Sequence, residues 1–207
     1  MKMEVHNMAN YLLVEPHDHT RKTLARLLMK EGELIFEATE ATEAIAILES
    51  SDIDVVITEL RLPHTDGVEL LSYVKKKFPL IHQIVLTDYT HTHTLIAAVN
   101  YGNVKRIMTK PMKIDEYAIR VMRDVGQQAV NMKTNQYRVA DMLTEFLDDL
   151  GNAYCLFYES GDLVSSENLV VPFEVGETSE LKRFVIPTQY GDFILYQSRD
   201  RSSQTYG

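Results

Sequence analysis

Asp54-Val55-Val56-Ile57-Thr58-Glu59-Leu60-Arg61-Leu62-Pro63-His64-Thr65-Asp66-Gly67 decides how this chain is read. Val55–Thr58 is continuously apolar and β-branched, the pattern of a strand covered on both faces. It runs straight into a carboxylate, Glu59. A proline turn follows, and Asp66-Gly67 opens an amphipathic helix that ends at Phe78, before Pro79. Outward from this stretch the same alternation repeats. Tyr11–Val14 reads as a strand, Thr20–Lys30 as a helix stopped by Gly32, and Leu34–Ala38 as a strand. Thr42–Ser50 reads as a helix with Thr42 at its N-cap. Gln83–Thr87 and Arg106–Thr109 read as strands around a helix at Thr92–Asn100, and Ile114 starts the next helix. Five strands alternating with five helices imply a parallel sheet with helices on both faces.

Taken together, these residues resemble the receiver domain of two-component response regulators over roughly Tyr11–Gly126. Glu15-Pro16 stands at the place of the acidic pair after the first strand. Glu59 stands where the family carries the Asp that accepts a phosphoryl group. Thr87 matches the Ser/Thr that hydrogen-bonds that group. Lys110-Pro111 matches the Lys that contacts the acceptor and the Pro after it. Ile107 occupies the position where many members carry a mobile aromatic switch. The resemblance implies an α/β, doubly wound, flavodoxin-like (βα)5 fold with strand order 2-1-3-4-5. It also puts every one of these positions at the carboxyl ends of strands, where open α/β sheets place their sites.

The departures from the family pattern carry the functional reading. The resemblance implies Mg²⁺ held by the acceptor carboxylate and an acid of the first loop. Mg²⁺ requires near-octahedral oxygen ligands at about 2.0–2.1 Å. Pro16 has no side-chain oxygen, and Glu59 reaches one methylene further than Asp. Misplacement by about 1 Å costs on the order of a hundredfold in positioning. The expectation is therefore a degenerate acceptor pocket of Glu15, Glu59, Thr87 and Lys110, with no catalytic residue, no metal and no cofactor. Asp18, two residues past Pro16, is the one alternative ligand in the loop. Glu59 beside Lys110 and Thr87 could imitate the phosphorylated state. Otherwise it is a relict ion pair in a frame used for protein contacts, or an altered site is still phosphorylated. His17, His19, His64, His91 and His93 lie in loops that ring the same pocket on a receiver fold. They read as solvated side chains, with a transition-metal site or a pH response as alternatives. Lys75-Lys76-Lys77 reads as a solvated helix end matched to the helix dipole.

Beyond the receiver-like part, 1–126, the pattern changes. From Ile114 to Leu150 the chain has no Pro and one Gly, Gly126. Steps of four and three give Ala118, Met122, Val125, Ala129, Met132, Gln136, Val139, Leu143, Phe146 and Leu150, a heptad seam with one polar member. Residues 127–150 are expected to form a dimerisation helix that pairs with a second copy. The alternative is a helix folded back on its own C-terminal module. Residues 151–201 read as about five short antiparallel strands, including Leu169–Phe173, and 202–207 as a polar tail. Cys155 reads as a small buried hydrophobe.

Composition narrows the function. The chain of 207 residues has 45% hydrophobic residues and a net charge of −9. From Gln127 on, six basic residues face twelve acidic ones. Phosphate contacts need positive charge, so nucleic acid is not the expected partner. No segment offers the ~20 apolar residues of a membrane span, and the first ten residues lack a signal-peptide core. A single cysteine suits a reducing compartment, the cytoplasm. The expected function is an atypical response regulator that signals through protein contacts, without enzymatic activity and without conventional Asp phosphorylation. A DNA-binding transcriptional regulator is the alternative.

Overall fold

The computed structural model describes residues 8–29, 33–89, 91–110, 116–171, 176 and 180–198. The first unit, Met1–Met132, holds β1 (Tyr11–Val14), α1 (Asp18–Leu28), β2 (Ile35–Ala38), α2 (Ala41–Ser50), β3 (Val55–Thr58), α3 (Gly67–Lys77), β4 (His82–Thr87), α4 (Thr92–Tyr101) and β5 (Val104–Thr109). The helix α5 (Glu116–Leu150) begins in this unit and continues into the second. Its expected start at Ile114, the helix stop at Gly32 and Pro111 lie outside the described residues.

The five strands form one parallel sheet in the order β2-β1-β3-β4-β5. Side chains alternate across it. Tyr11 and Leu13 join Leu24, Leu28, Ile119, Met122 and Val125 under α1 and α5. Leu12 and Val14 join Ala44, Leu48, Leu70 and Val74 under α2 and α3. Burial of β1, β3 and β4 on both faces explains why they read as unbroken apolar runs. Gly126 lets α5 lie against the start of β1: a Cβ there would come within 2.9 Å of the Ala9 Cβ and even closer to the Tyr11 hydroxyl. Thr42 lies in the first turn of α2 instead of at its cap; Glu40 holds the N-cap position.

The second unit, Lys133–Gly207, contains the rest of α5 and a four-stranded antiparallel sheet. Its strands are β6 (Tyr154–Tyr158), β7 (Leu163–Glu167), β8 (Leu181–Ile186) and β9 (Phe193–Ser198), in the order β7-β6-β9-β8. Gly151, at φ +66°, follows α5 and turns the chain into β6. The sheet has four strands, not five: Leu169–Val171 is not extended into a ladder, and 172–173 lie outside the described residues. Leu169 and Val171 instead cover Cys155, Phe157, Ile194 and Tyr196 on one face.

On the other face the helix takes the alternative to pairing with a second copy, folding back on its own C-terminal module. Ala140 and Leu147, with Val139 and Leu143 beside them, pack on Tyr154, Leu156, Phe193 and Leu195 of the same chain. A four-stranded sheet exposes one apolar face unless something covers it, and this helix does so. The seam is thus divided. Ala129 belongs to the core of the first unit, Gln136 and Leu143 lie toward the sheet, and Phe146 and Leu150 stay exposed.

Candidate functional site

Register brings the site together. Val14 lies beside Thr58, and Thr87 beside Thr109, so Glu15, Glu59, Thr87 and Lys110 leave one edge of the sheet as neighbours. Gly67 shapes the loop after Glu59. Its N–H donates to the Leu60 carbonyl at 2.8 Å, and a Cβ there would lie 2.5 Å from the Glu59 carbonyl oxygen. Only glycine admits that approach, which is why Asp-Gly follows the proline turn. Asp66 caps α3 through the Val68 N–H at 2.9 Å.

Glu59 is buried and every oxygen of its carboxylate is engaged. Oε1 accepts from the backbone N–H of Leu60 at 2.7 Å, from that of Arg61 at 3.3 Å, and from the Thr87 hydroxyl. Oε2 accepts from Lys110 Nζ at 2.7 Å. The same ammonium donates to Glu15 Oε2. Glu15 Oε1 accepts from the His17 N–H at 2.9 Å and lies 3.0 Å from His17 Nδ1. Thr87 is fully buried, and its oxygen accepts from the Tyr89 N–H at 3.0 Å while its proton goes to Glu59. One cation thus bridges two carboxylates, and the hydroxyl serves the Glu59 carboxylate directly.

The electrostatics follow from this arrangement. Burial acts to raise the Glu59 pKa, but the hydrogen bonds from Lys110 and Thr87 and the Lys110 charge outweigh it, and the carboxyl is held below its ordinary range. Burial acts to lower Lys110, and the two glutamates outweigh it and push the ammonium up. Both groups are therefore charged at neutral pH.

Asp18 does not serve the pocket. Its carboxylate is held by Arg21 at 2.7 Å and Lys22 at 2.8 Å. Ile107 is half-buried and packs with Leu60, Leu71, Val85 and Ala98. Of the loop histidines, His17 reaches Glu15 and His91 lies tilted against the Tyr89 ring with centroids 4.5 Å apart. His19, His64 and His93 are exposed. Among the described residues, no three His, Cys, Asp or Glu side chains come together as a metal site.

Two parts of the site escaped the reading of the sequence. Arg61 lays its guanidinium over the Tyr89 ring, 4.2 Å from the centroid, beside the Glu59–Thr87 contact. Each stands two residues after a pocket residue, and that shared offset was the available signal. Buried Arg21 donates to the Glu15 carbonyl at 2.8 Å and to Glu37 at 3.0 Å, bracing the first loop. A basic residue one turn into the first helix gave no such hint.

The family model of the response regulator receiver domain matches residues 11–122, more than half of the chain. The chain belongs to that family. The hydrogenase transcriptional regulatory protein HoxA of Cupriavidus necator is 30% identical over 122 residues, which are 59% of this chain and 25% of that protein. The DNA-binding transcriptional activator DevR/DosR of Mycobacterium tuberculosis is 31% identical over 121 residues, 58% of this chain and 55% of that protein. Among solved structures, the signal receiver domain of an HD domain-containing protein from Pseudomonas fluorescens Pf-5 aligns with a TM-score of 0.59 and 26% identity, covering 64% of this chain and 97% of that one. The chain spans between a quarter and just over half of the length of these curated relatives.

Proposed function

We propose that this receiver works as an atypical regulator whose pocket is closed by its own side chains, and that it signals through protein contacts without phosphorylation of Glu59. The observation that carries this reading is the single ammonium of Lys110 bridging Glu15 and Glu59. All four oxygens of those two carboxylates already accept hydrogen bonds, and Pro16 supplies none. Mg²⁺ needs several free oxygens in near-octahedral array, and this donor set does not fit it. Without that ion the charge of in-line phosphoryl transfer falls on Lys110, whose ammonium Glu15 and Glu59 already share. Glu59 also holds Thr87 directly, the contact that a phosphoryl oxygen would otherwise take. The pocket is in this reading fixed in one state, with no enzymatic turnover and with the cytoplasm as its compartment.

The test is intact-mass analysis after incubation with Mg²⁺ and a small phosphodonor. The expected result is an unmodified chain. A phosphoryl adduct mapped to Glu59 would overturn the proposal. The double change Pro16→Asp with Glu59→Asp should create Mg²⁺ binding, read by isothermal titration.

A DNA-bound role is the second reading, favoured by the two relatives named as transcriptional regulators. The acidic balance of the chain beyond Gln127 opposes it. Retention of duplex DNA by the chain at physiological salt would favour it.

A further inference from the structure

The last turns of α5 carry an electrostatic conflict. A helix gains from basic residues in its last turn, where its free carbonyls form the negative end of the dipole. α1 follows that rule with Arg26, and α3 with Lys75, Lys76 and Lys77. α5 has no basic residue there and ends instead on Asp148 and Asp149. Asp148 is answered by the Tyr154 hydroxyl at 2.6 Å. Asp141, Glu145 and Asp149 are exposed, and among the described residues no ion pair answers them. From residue 138 to the end of the helix, Arg138 is the one basic side chain. A local rule broken without compensation inside the chain is what a functional surface looks like.

Beside this row runs an apolar strip. Met142, Phe146 and Leu150 stand at i, i+4 and i+8 and are 61%, 59% and 50% exposed. At 3.6 residues per turn the strip lies between the face that Ala140 and Leu147 press on the sheet and the row of Asp141, Glu145 and Asp149. It extends over two turns, ~12 Å. Contiguous apolar side chains rimmed by charge mark sites of association.

The charge of the rim selects the occupant. Packed antiparallel on the same strip of a second copy, the acidic row would meet itself. Packed parallel, it would face the apolar edge of the strip and find no cation. An anionic bilayer surface would repel the row as well. A segment with apolar side chains on one face and lysine or arginine beside them satisfies both features at once. Its cations would also complete the end of the helix, as Lys75, Lys76 and Lys77 do for α3.

We propose that the end of α5 is a docking surface for a basic amphipathic helix of another protein. Its apolar face covers Met142, Phe146 and Leu150, and its cations pair with Glu145 and Asp149. This names a partner chemistry for the protein contacts of the function proposed above. It uses residues of the second unit alone, so it and the reading of the Glu59 pocket can fail separately.

The test uses the full chain and two labelled helical peptides that share one apolar face of leucine and carry either lysine or glutamate on the other. Fluorescence anisotropy should show binding of the lysine peptide, weakening as salt rises, and none of the glutamate peptide. Phe146→Ser should weaken binding at least about tenfold, and Glu145→Gln with Asp149→Asn should weaken it and flatten its salt dependence. Leu34→Ser, at a position of the first unit that is 57% exposed, should leave it unchanged. Circular dichroism checks that each variant is folded, and Met142→Ser repeats the test if Phe146→Ser is not. Failure of the lysine peptide to bind overturns the proposal, as does equal binding of the glutamate peptide or binding that folded Phe146→Ser and Met142→Ser both retain. Two further outcomes overturn it by assigning the strip elsewhere. One is a dimer of the chain alone, seen by light scattering and lost in Phe146→Ser. The other is co-sedimentation with phosphatidylglycerol vesicles, lost in the same variant.

Discussion

The two halves of α5 carry one amphipathic pattern and use it differently. In the receiver, Ala118, Ile119, Met122, Val125, Ala129 and Val130 are all buried, and the helix is pressed so close to β1 that only Gly126 fits. In the second unit, Ala140 and Leu147 are buried while Met142, Phe146 and Leu150 are left in solvent. The first half has two partners, the sheet and α1, so an arc of more than a third of the helix is absorbed. The second half lies on one small sheet, which covers a narrower arc. An apolar residue therefore means core in one half and free surface in the other.

The sheets differ in the same way. The parallel sheet ends in a pocket whose charges are mutually satisfied, and the antiparallel sheet ends in an edge strand with exposed Phe184 and Val185. The largest effect is expected where satisfaction is most complete. Lys110→Met leaves two buried carboxylates facing each other, and loss of one partner of a buried ionic group costs ~3–5 kcal/mol. The urea midpoint of the receiver transition should fall accordingly, and a midpoint unchanged from wild type would mean that the ammonium does not hold the loops together.

The helix halves can be set against each other directly. Met122→Ala should destabilise by ~2–5 kcal/mol, as other fully buried truncations do. Phe146→Ser should stay within about 0.5 kcal/mol of wild type. Equal losses in urea unfolding would erase the contrast between the two halves.

Acid should act on the first half too. His82 is buried, with Nδ1 3.4 Å from the Val125 carbonyl of α5. Burial, aided by the charge of Lys105, pulls its pKa down to about 4 from 6.5, against the pull of that carbonyl. The unfolded chain therefore binds the proton more readily than the folded one. The stability from a neutral His82 is complete above pH 6.5 and is lost as pH falls toward 4, a change of at most ~3 kcal/mol. His82→Gln should flatten this part of the pH profile of unfolding, and a profile that keeps its slope would assign it to other groups. The lowered pKa of Glu59 has the same sign but acts lower, its contribution fading only as pH drops through the carboxylate range.

Much of this molecule was written in local pattern. The apolar runs within Tyr11–Val14, Val55–Thr58 and Gln83–Thr87 read as strands buried on both faces, and they are. A carboxylate, a threonine and a lysine at the ends of such strands meet in the strand order that the resemblance implied and the sheet has. The change from Asp to Glu at position 59 and the proline at 16 were visible before any coordinates. What could not be read was how the groups share one another. That Lys110 bridges both glutamates, and that Arg61 covers Tyr89, depends on distances between loops far apart in the chain. The helix beyond Gln127 shows the limit most clearly. A heptad seam states that an apolar stripe needs a partner, but a sheet of the same chain and a helix of another satisfy it equally well. Only the tertiary structure chose the sheet for Ala140 and Leu147, because Tyr154, Leu156, Phe193 and Leu195 had an apolar face of their own to bury.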